Sequence, residues 1–127
     1  MIDHVSMGVR SLAQATHFYD AVLAELGLDR LAEHGGTIGY GKSYPEFWLN
    51  ERPGLPDTGG DNGVHVCFRT GNADSVNAFH ATALERGGTC AGEPGLRPQY
   101  TSNYYAAFVT DPDGNKIEAV TFLESMD

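Results

Sequence analysis

The sequence predicts an α+β domain built from two βαβββ modules, and three observations lead there. Two alternating apolar strands are each followed by an amphipathic helical stretch ending in glycine. Segment 4–27 aligns with segment 65–88 without a gap, so that His4 falls on His65, Val5 on Val66, Phe18 on Phe79, Leu23 on Leu84 and Gly27 on Gly88. Each of these units is then followed by short strand-like runs separated by turn residues. The predicted domain is 1–127, with module one at about 1–50, a linker at about 51–63 and module two at about 64–123.

The elements follow in order. The first strand is about Ile2–Val9, with Val5, Met7 and Val9 on one face and His4, Ser6 and Gly8 on the other. Ser11-Leu12-Ala13-Gln14 matches a capping box. The helix behind it carries Ala15, Phe18, Tyr19, Val22, Leu23 and Leu26 as one stripe, and Gly27 can end it. Strands are expected at Leu28–Glu33 and Thr37–Gly41, joined at Gly35-Gly36, and at Glu46–Asn50 after Pro45. The stretch "ERPGLPDTGGDNG" at 51–63 is a connecting loop.

Module two opens with "GVHVCFRT" as a strand. A helix over about Ala73–Arg86 carries Val76, Phe79, His80, Ala83 and Leu84, and Gly87-Gly88 ends it. A strand near Thr89, a loop at 92–103, a strand at 104–110 and a strand in "NKIEAV" complete the pattern. In "DPDG", Asp111, Pro112 and Gly114 suit a type I turn.

Composition removes several function classes. The net charge of −9, from 8 Lys and Arg against 17 Asp and Glu, with no basic cluster, argues against nucleic-acid binding. No apolar run reaches the roughly 20 residues of a membrane span. "MIDHVSMGV" has neither a basic nor an apolar leader region, so a cytoplasmic location is expected. Cys67 and Cys90 form no CxxC pair and no disulfide framework, and read as reduced, buried or half-buried thiols. His17 and His34 read as solvated, and His80 as a partly buried packing residue. No nucleophile elbow or phosphate-cradling loop is present.

The chemistry gathers on one sheet face. If Val5, Met7, Val64, Val66 and Phe68 pack on the helices, His4 and His65 point the other way. By the same period Ile117 and Ala119 face the helices, while Glu118 shares the face of the two imidazoles. An ionised carboxylate there needs a partner. A divalent metal is one; three unrelated polar residues on a wet face is the other reading. Two imidazoles and a carboxylate suit zinc, nickel, iron(II) or manganese and leave positions for water or substrate.

Three segments, "DHVSMGVRSLAQATHFYDAVLAELGL", "GVHVCFRT" and "DPDGNKIEAV", make the chain resemble the vicinal oxygen chelate superfamily over nearly its whole length. That superfamily includes glyoxalase I, extradiol dioxygenases, and fosfomycin- and bleomycin-resistance proteins. The resemblance implies paired βαβββ modules curling as a mixed sheet around a central cavity. It also implies a homodimer and metal ligands at His4, His65 and Glu118. Glyoxalase I-like members take a fourth ligand from the fourth strand, where Trp48 stands here, with Glu46 and Asn50 on the same face. The three remaining ligands are closer to the facial triad of iron(II) oxygenases. The stretch "GLRPQYTSNYYAAFV" is similar to that of a subgroup of small bacterial members in which histidines often stand where Gln99 and Thr101 do here.

The function expected is a metal-dependent glyoxalase- or dioxygenase-like enzyme, a lyase or dioxygenase, whose small substrate chelates the metal through vicinal oxygens. The sequence names no catalytic base. Trp48, Arg97, Tyr100 and Tyr104 are candidate substrate contacts, with Arg97 able to grip a carboxylate. The competing expectation is a non-catalytic, drug-sequestering binder of the bleomycin-resistance type, for which the acidity and Trp48 suit a cationic ligand.

Overall fold

A computed structural model describes residues 1–57 and 59–124. Residue 58 of the predicted linker and residues 125–127 of the predicted domain lie outside the described residues. The first module consists of β1 (Val5–Val9), α1 (Leu12–Ala24), β2 (Asp29–His34), β3 (Thr37–Gly41) and β4 (Phe47–Glu51). The second consists of β5 (His65–Arg69), α2 (Ala73–Glu85), β6 (Thr89–Leu96), β7 (Tyr104–Thr110) and β8 (Lys116–Phe122). Each forms a four-stranded mixed sheet, in the orders β1-β4-β3-β2 and β5-β8-β7-β6. β1–β4 and β5–β8 are the parallel pairs.

The internal repeat is legible in burial. Ala15, Phe18, Tyr19 and Val22 of α1 are buried, and so are the residues they align with in α2, Val76, Phe79, His80 and Ala83. Burying each large apolar side chain among them contributes about 1.5–3 kcal/mol. Both helices start as the sequence directs. Ser11 Oγ accepts the amide of Gln14, and Asn72 Oδ1 accepts that of Ser75.

One hydrophobic core spans the modules. It takes Val9, Ile38, Phe47 and Leu49 from the first sheet, Ala107, Val109, Ile117 and Ala119 from the second, and the buried stripes of both helices. Phe47 meets Phe68 edge-on at 5.1 Å. Polar links reinforce the contact. Tyr19 Oη donates to Asp111 Oδ2 at 2.7 Å, Arg10 Nη1 to Asp113 Oδ1 at 3.0 Å, and Asn115 Nδ2 to the Gly8 carbonyl at 3.0 Å. Gly88 is required by the same junction, because a Cβ there would sit 2.8 Å from the Phe18 ring and 2.8 Å from the Thr110 carbonyl oxygen.

Several expectations need correction. β6 runs to Leu96 through a stretch that the sequence suggests is loop from Gly92. Pro94 is tolerated because β6 is an edge strand with register shifts at Cys90/Gly92 and Gly92/Gly95, where a missing N–H costs no ladder bond. β1 begins at Val5, so His4 immediately precedes the strand. Leu84 is exposed although it shares the apolar spacing of α2, since the core contact there ends at Ala83. Cys90 is exposed rather than buried, and Cys67 is exposed as a residue while its thiol turns into partly desolvated surroundings beside Glu118. His34 is exposed as expected, but it also stacks on Trp48.

Candidate functional site

The second sheet separates its side chains by the two-residue period. Ile117 and Ala119 point into the helix-side core, so Glu118 points to the opposite face. Register then decides its neighbours. Glu118 lies beside Cys67 on β5 and Phe108 on β7, with His65 one pair earlier on the same face and Tyr104 toward the far end of β7.

Glu118 is 2% exposed, yet both its oxygens are engaged. Oε1 lies 2.9 Å from His65 Nε2, and Oε2 accepts a hydrogen bond from Tyr104 Oη. His65 is 40% exposed and leans on the Phe108 ring, centroid to centroid 5.9 Å. The pair is therefore anchored on the carboxylate side and open on the imidazole side.

Two neighbouring acids hold their protons. Burial, and then the hydrogen bond to Glu118, raise the Tyr104 phenol well above its ordinary value. Burial and the charge of Glu118 push the Cys67 thiol up to about 12. At neutral pH both groups face the carboxylate as neutral donors. The sequence offers Cys67 only as a possible catalytic thiol and not as a ligand or substrate contact, although its place two residues after His65 puts it on the same face.

A row of aromatics borders the site. Tyr104 makes edge-on contacts with Tyr100 at 5.0 Å and Phe122 at 5.4 Å, and Arg69 lies 4.8 Å above the Phe122 ring. Arg97 is tied to its own loop. Its guanidinium donates to the carbonyls of Glu93 at 2.6 Å and Gly95 at 2.9 Å and lies 5.6 Å over Phe108, and its amide donates to the Tyr104 carbonyl at 2.7 Å.

The first sheet presents a different surface. Trp48 pairs with Ser6 as Glu118 pairs with Cys67, so the indole stands where module two has its carboxylate. It lies over Gly39, where a Cβ would approach the indole to 2.8 Å, and stacks with His34 at 6.0 Å. His4 bonds to Asp3 Oδ2 at 2.8 Å and is half exposed. His4 and His65 line one cavity of about 580 Å³, together with Glu46, Cys67 and Arg69 among others. Among the described residues, however, the donor atoms of His4, His65 and Glu118 do not gather within 4.8 Å of one another.

The donors fit a divalent metal. Imidazole and carboxylate are ordinary ligands, and bonds of about 2.1 Å place two such atoms about 3.0 Å apart in octahedral and about 3.4 Å apart in tetrahedral geometry, against 2.9 Å between His65 Nε2 and Glu118 Oε1.

Comparison with known proteins agrees with this architecture. Residues 1–119 match the family described as Glyoxalase/Bleomycin resistance protein/Dioxygenase superfamily. A glyoxalase/bleomycin resistance protein from Albidiferax ferrireducens is 34% identical, with a TM-score of 0.83, and the match covers 94% of this chain and 97% of that one. A glyoxalase/bleomycin resistance protein/dioxygenase family enzyme from Burkholderia phytofirmans shares the fold at 16% identity and TM-score 0.74, over 96% of this chain and 98% of that one. A glyoxalase/dioxygenase from Nostoc punctiforme does so at 18% identity and TM-score 0.74, over 98% and 92%. No curated protein matches the chain. No described helix is long and apolar enough to cross a membrane.

Proposed function

The chain belongs to the Glyoxalase/Bleomycin resistance protein/Dioxygenase superfamily, and from that premise we propose that it is a metal-dependent enzyme acting on a small, oxygen-rich substrate. The observation that carries this reading is the buried Glu118 carboxylate, bonded to His65 and Tyr104 on an otherwise open sheet face. His65 and Glu118 would hold a divalent ion of the zinc, nickel, iron(II) or manganese kind, with His4 as third ligand. When bound, the ion supplies Lewis-acid stabilisation of charge on two adjacent substrate oxygens.

The chain's own groups have defined tasks. Tyr104 orients the carboxylate by donating to Oε2 and stays protonated while doing so. Tyr100, Tyr104 and Phe122 form an apolar border that favours a planar substrate. Arg97 fixes the loop that carries Tyr100, while Arg69, 4.8 Å above the Phe122 ring, is the cation placed against that border for a substrate carboxylate. Trp48 supplies a flat wall from the other module.

His4 does not meet His65 and Glu118 within the chain, so the reading extends to the assembly. The active form is a cytoplasmic homodimer in which His4 of one copy completes the site on the other. Metal content of untagged protein tests this. Wild type should hold one metal ion per chain more than His4→Ala or Glu118→Ala holds. Refolding the two variants together should restore about a quarter of the wild-type sites, because half the dimers are mixed and each mixed dimer has one intact site. Equal metal content in wild type and Glu118→Ala after incubation with all four ions would overturn the enzyme reading. Metal without recovery in the mixture would place His4 in the same chain's site.

A second reading is favoured by one specific contact. The stacked His34–Trp48 pair offers a flat aromatic surface on a chain of net charge −9, which suits a planar cationic ligand. A sequestering protein of this type binds such a ligand equally well with and without added metal.

A further inference from the structure

We propose that His80, Cys90 and Glu93 form a second metal site, of zinc-binding chemistry, on the helix side of the second sheet. It is separate from the site above. Cys90 pairs with Val109, whose side chain faces the helices, whereas Glu118 faces the other way. Nothing in the proposed function uses these three residues.

The geometry is that of a ligand set. His80 Nε2 lies 3.1 Å from Cys90 Sγ, and Cys90 Sγ lies 3.9 Å from Glu93 Oε1. All three donor atoms fall within 4.8 Å of one another. Tetrahedral zinc with bonds of about 2.3 Å to sulfur and about 2.1 Å to nitrogen or oxygen places such ligand atoms about 3.6 Å apart. The observed separations lie on either side of that value, so small side-chain rotations are enough.

The backbone has to be irregular for this to happen. Residues three apart on a regular strand point to opposite faces. The register shifts between Cys90 and Gly92, and again before Gly95, turn Glu93 toward Cys90. Arg97 holds the bulge in place by donating to the Glu93 carbonyl. His80 comes from the buried stripe of α2 and is 6% exposed, while Cys90 and Glu93 are exposed. One ligand is therefore rigidly anchored, and the remaining coordination position opens to water.

A Cys–His nucleophile is the other chemistry these residues suggest. Such a dyad places its acidic residue on the far nitrogen of the imidazole. Here Glu93 lies on the sulfur side, 3.9 Å from Cys90 Sγ, and so does not orient the imidazole as such a dyad requires. Three donor atoms converging on one point suit a shared cation, and a nucleophilic role leaves Glu93 without a task.

Cobalt(II) titration of the untagged, chelator-stripped chain under reducing conditions tests the assignment. A sulfur-to-cobalt charge-transfer band should appear and saturate at one ion per chain. It should vanish in Cys90→Ala, weaken at least about 10-fold in apparent affinity in Glu93→Gln, and persist in Cys67→Ala and Glu118→Ala. Zinc should bleach it. Cys90 and Glu93 are exposed, so these variants keep the fold, and far-ultraviolet circular dichroism checks that. No band in wild type, a band that survives Cys90→Ala, or one lost in Cys67→Ala would each overturn the proposal. Failure of the His65–Glu118 site shows instead as persistence of the band together with no further metal uptake, so the two readings fail independently.

Discussion

The two modules share a fold and differ in what they place on its open face. Their helices bury aligned positions, and their strands pair in the same order. Yet at matched places beside the first strand, module one has Trp48 and module two has Glu118. The neighbours follow. Gly39 makes room for the indole, whereas Phe108 packs against the carboxylate's strand position and Tyr104 donates to it. The scaffold dictates where a side chain points, and a single position decides whether that direction becomes an aromatic wall or a polar centre.

The helix ends sharpen the contrast. Each helix is followed by a glycine in the left-handed region, Gly27 after α1 and Gly87 after α2, but α2 adds Gly88 for a different reason. Gly27 has φ +78°, the left-handed region, and a Cβ there would touch only the end of Lys42 at 3.7 Å. Gly88 is needed for space, since its Cβ would meet the Phe18 ring and the Thr110 and Ala83 carbonyl oxygens at 2.8–2.9 Å. Gly88→Ala should therefore cost about 3 kcal/mol or more, because backbone cannot step aside. Gly27→Ala should cost about 1–2 kcal/mol from backbone strain alone. Urea unfolding of both variants checks the order. Equal losses would mean that the modules are not locked through Phe18.

The next difference is between Tyr19 and its counterpart His80. Tyr19 reaches across to Asp111, which also accepts the amides of Asp113 and Asn115 and the side chain of Asn115. Tyr19→Phe removes one buried donor and leaves three, so the expected loss is about 1–2 kcal/mol with an unchanged denaturant slope. A reduced slope would show that the modules open separately.

Much of this is legible in the sequence, because two periodicities carry it. The 3.6-residue stripe locates both helices, and the two-residue alternation puts His65 and Glu118 on one face. What escapes is set by irregular backbone and by openness. β6 is hidden by Pro94 and its glycines, since edge position and bulges are properties of the sheet. For the same reason nothing in the sequence joins Cys90 to Glu93, whose spacing puts them on opposite sides of any regular strand. The cysteines look buried by residue type, yet Cys67 lies on a sheet face that the single chain leaves open.

The effect expected to be smallest at pH 7 concerns that thiol. The metal-free chain holds the Cys67 proton to about pH 12, through burial and the adjacent Glu118 charge, whereas an unfolded thiol ionises near pH 8.5. The folded value is raised, so the contribution to stability is complete below about pH 8.5 and declines as pH rises from there through about 12. Above pH 8.5 the unfolded state loses its proton while the folded state keeps it. Cys67→Ser should remove this alkaline decline and leave stability at pH 7 nearly unchanged. The corresponding position of module one is Ser6, which does not titrate, so the first sheet contributes no such slope. Iodoacetamide reports the same difference directly. In the folded chain Cys67 should react slowly at pH 8 and speed up as pH approaches 12. In Glu118→Gln, with the neighbouring charge gone, it should react faster at every pH between. Equal rates in the two proteins would assign the shift to burial alone and remove the carboxylate from the account.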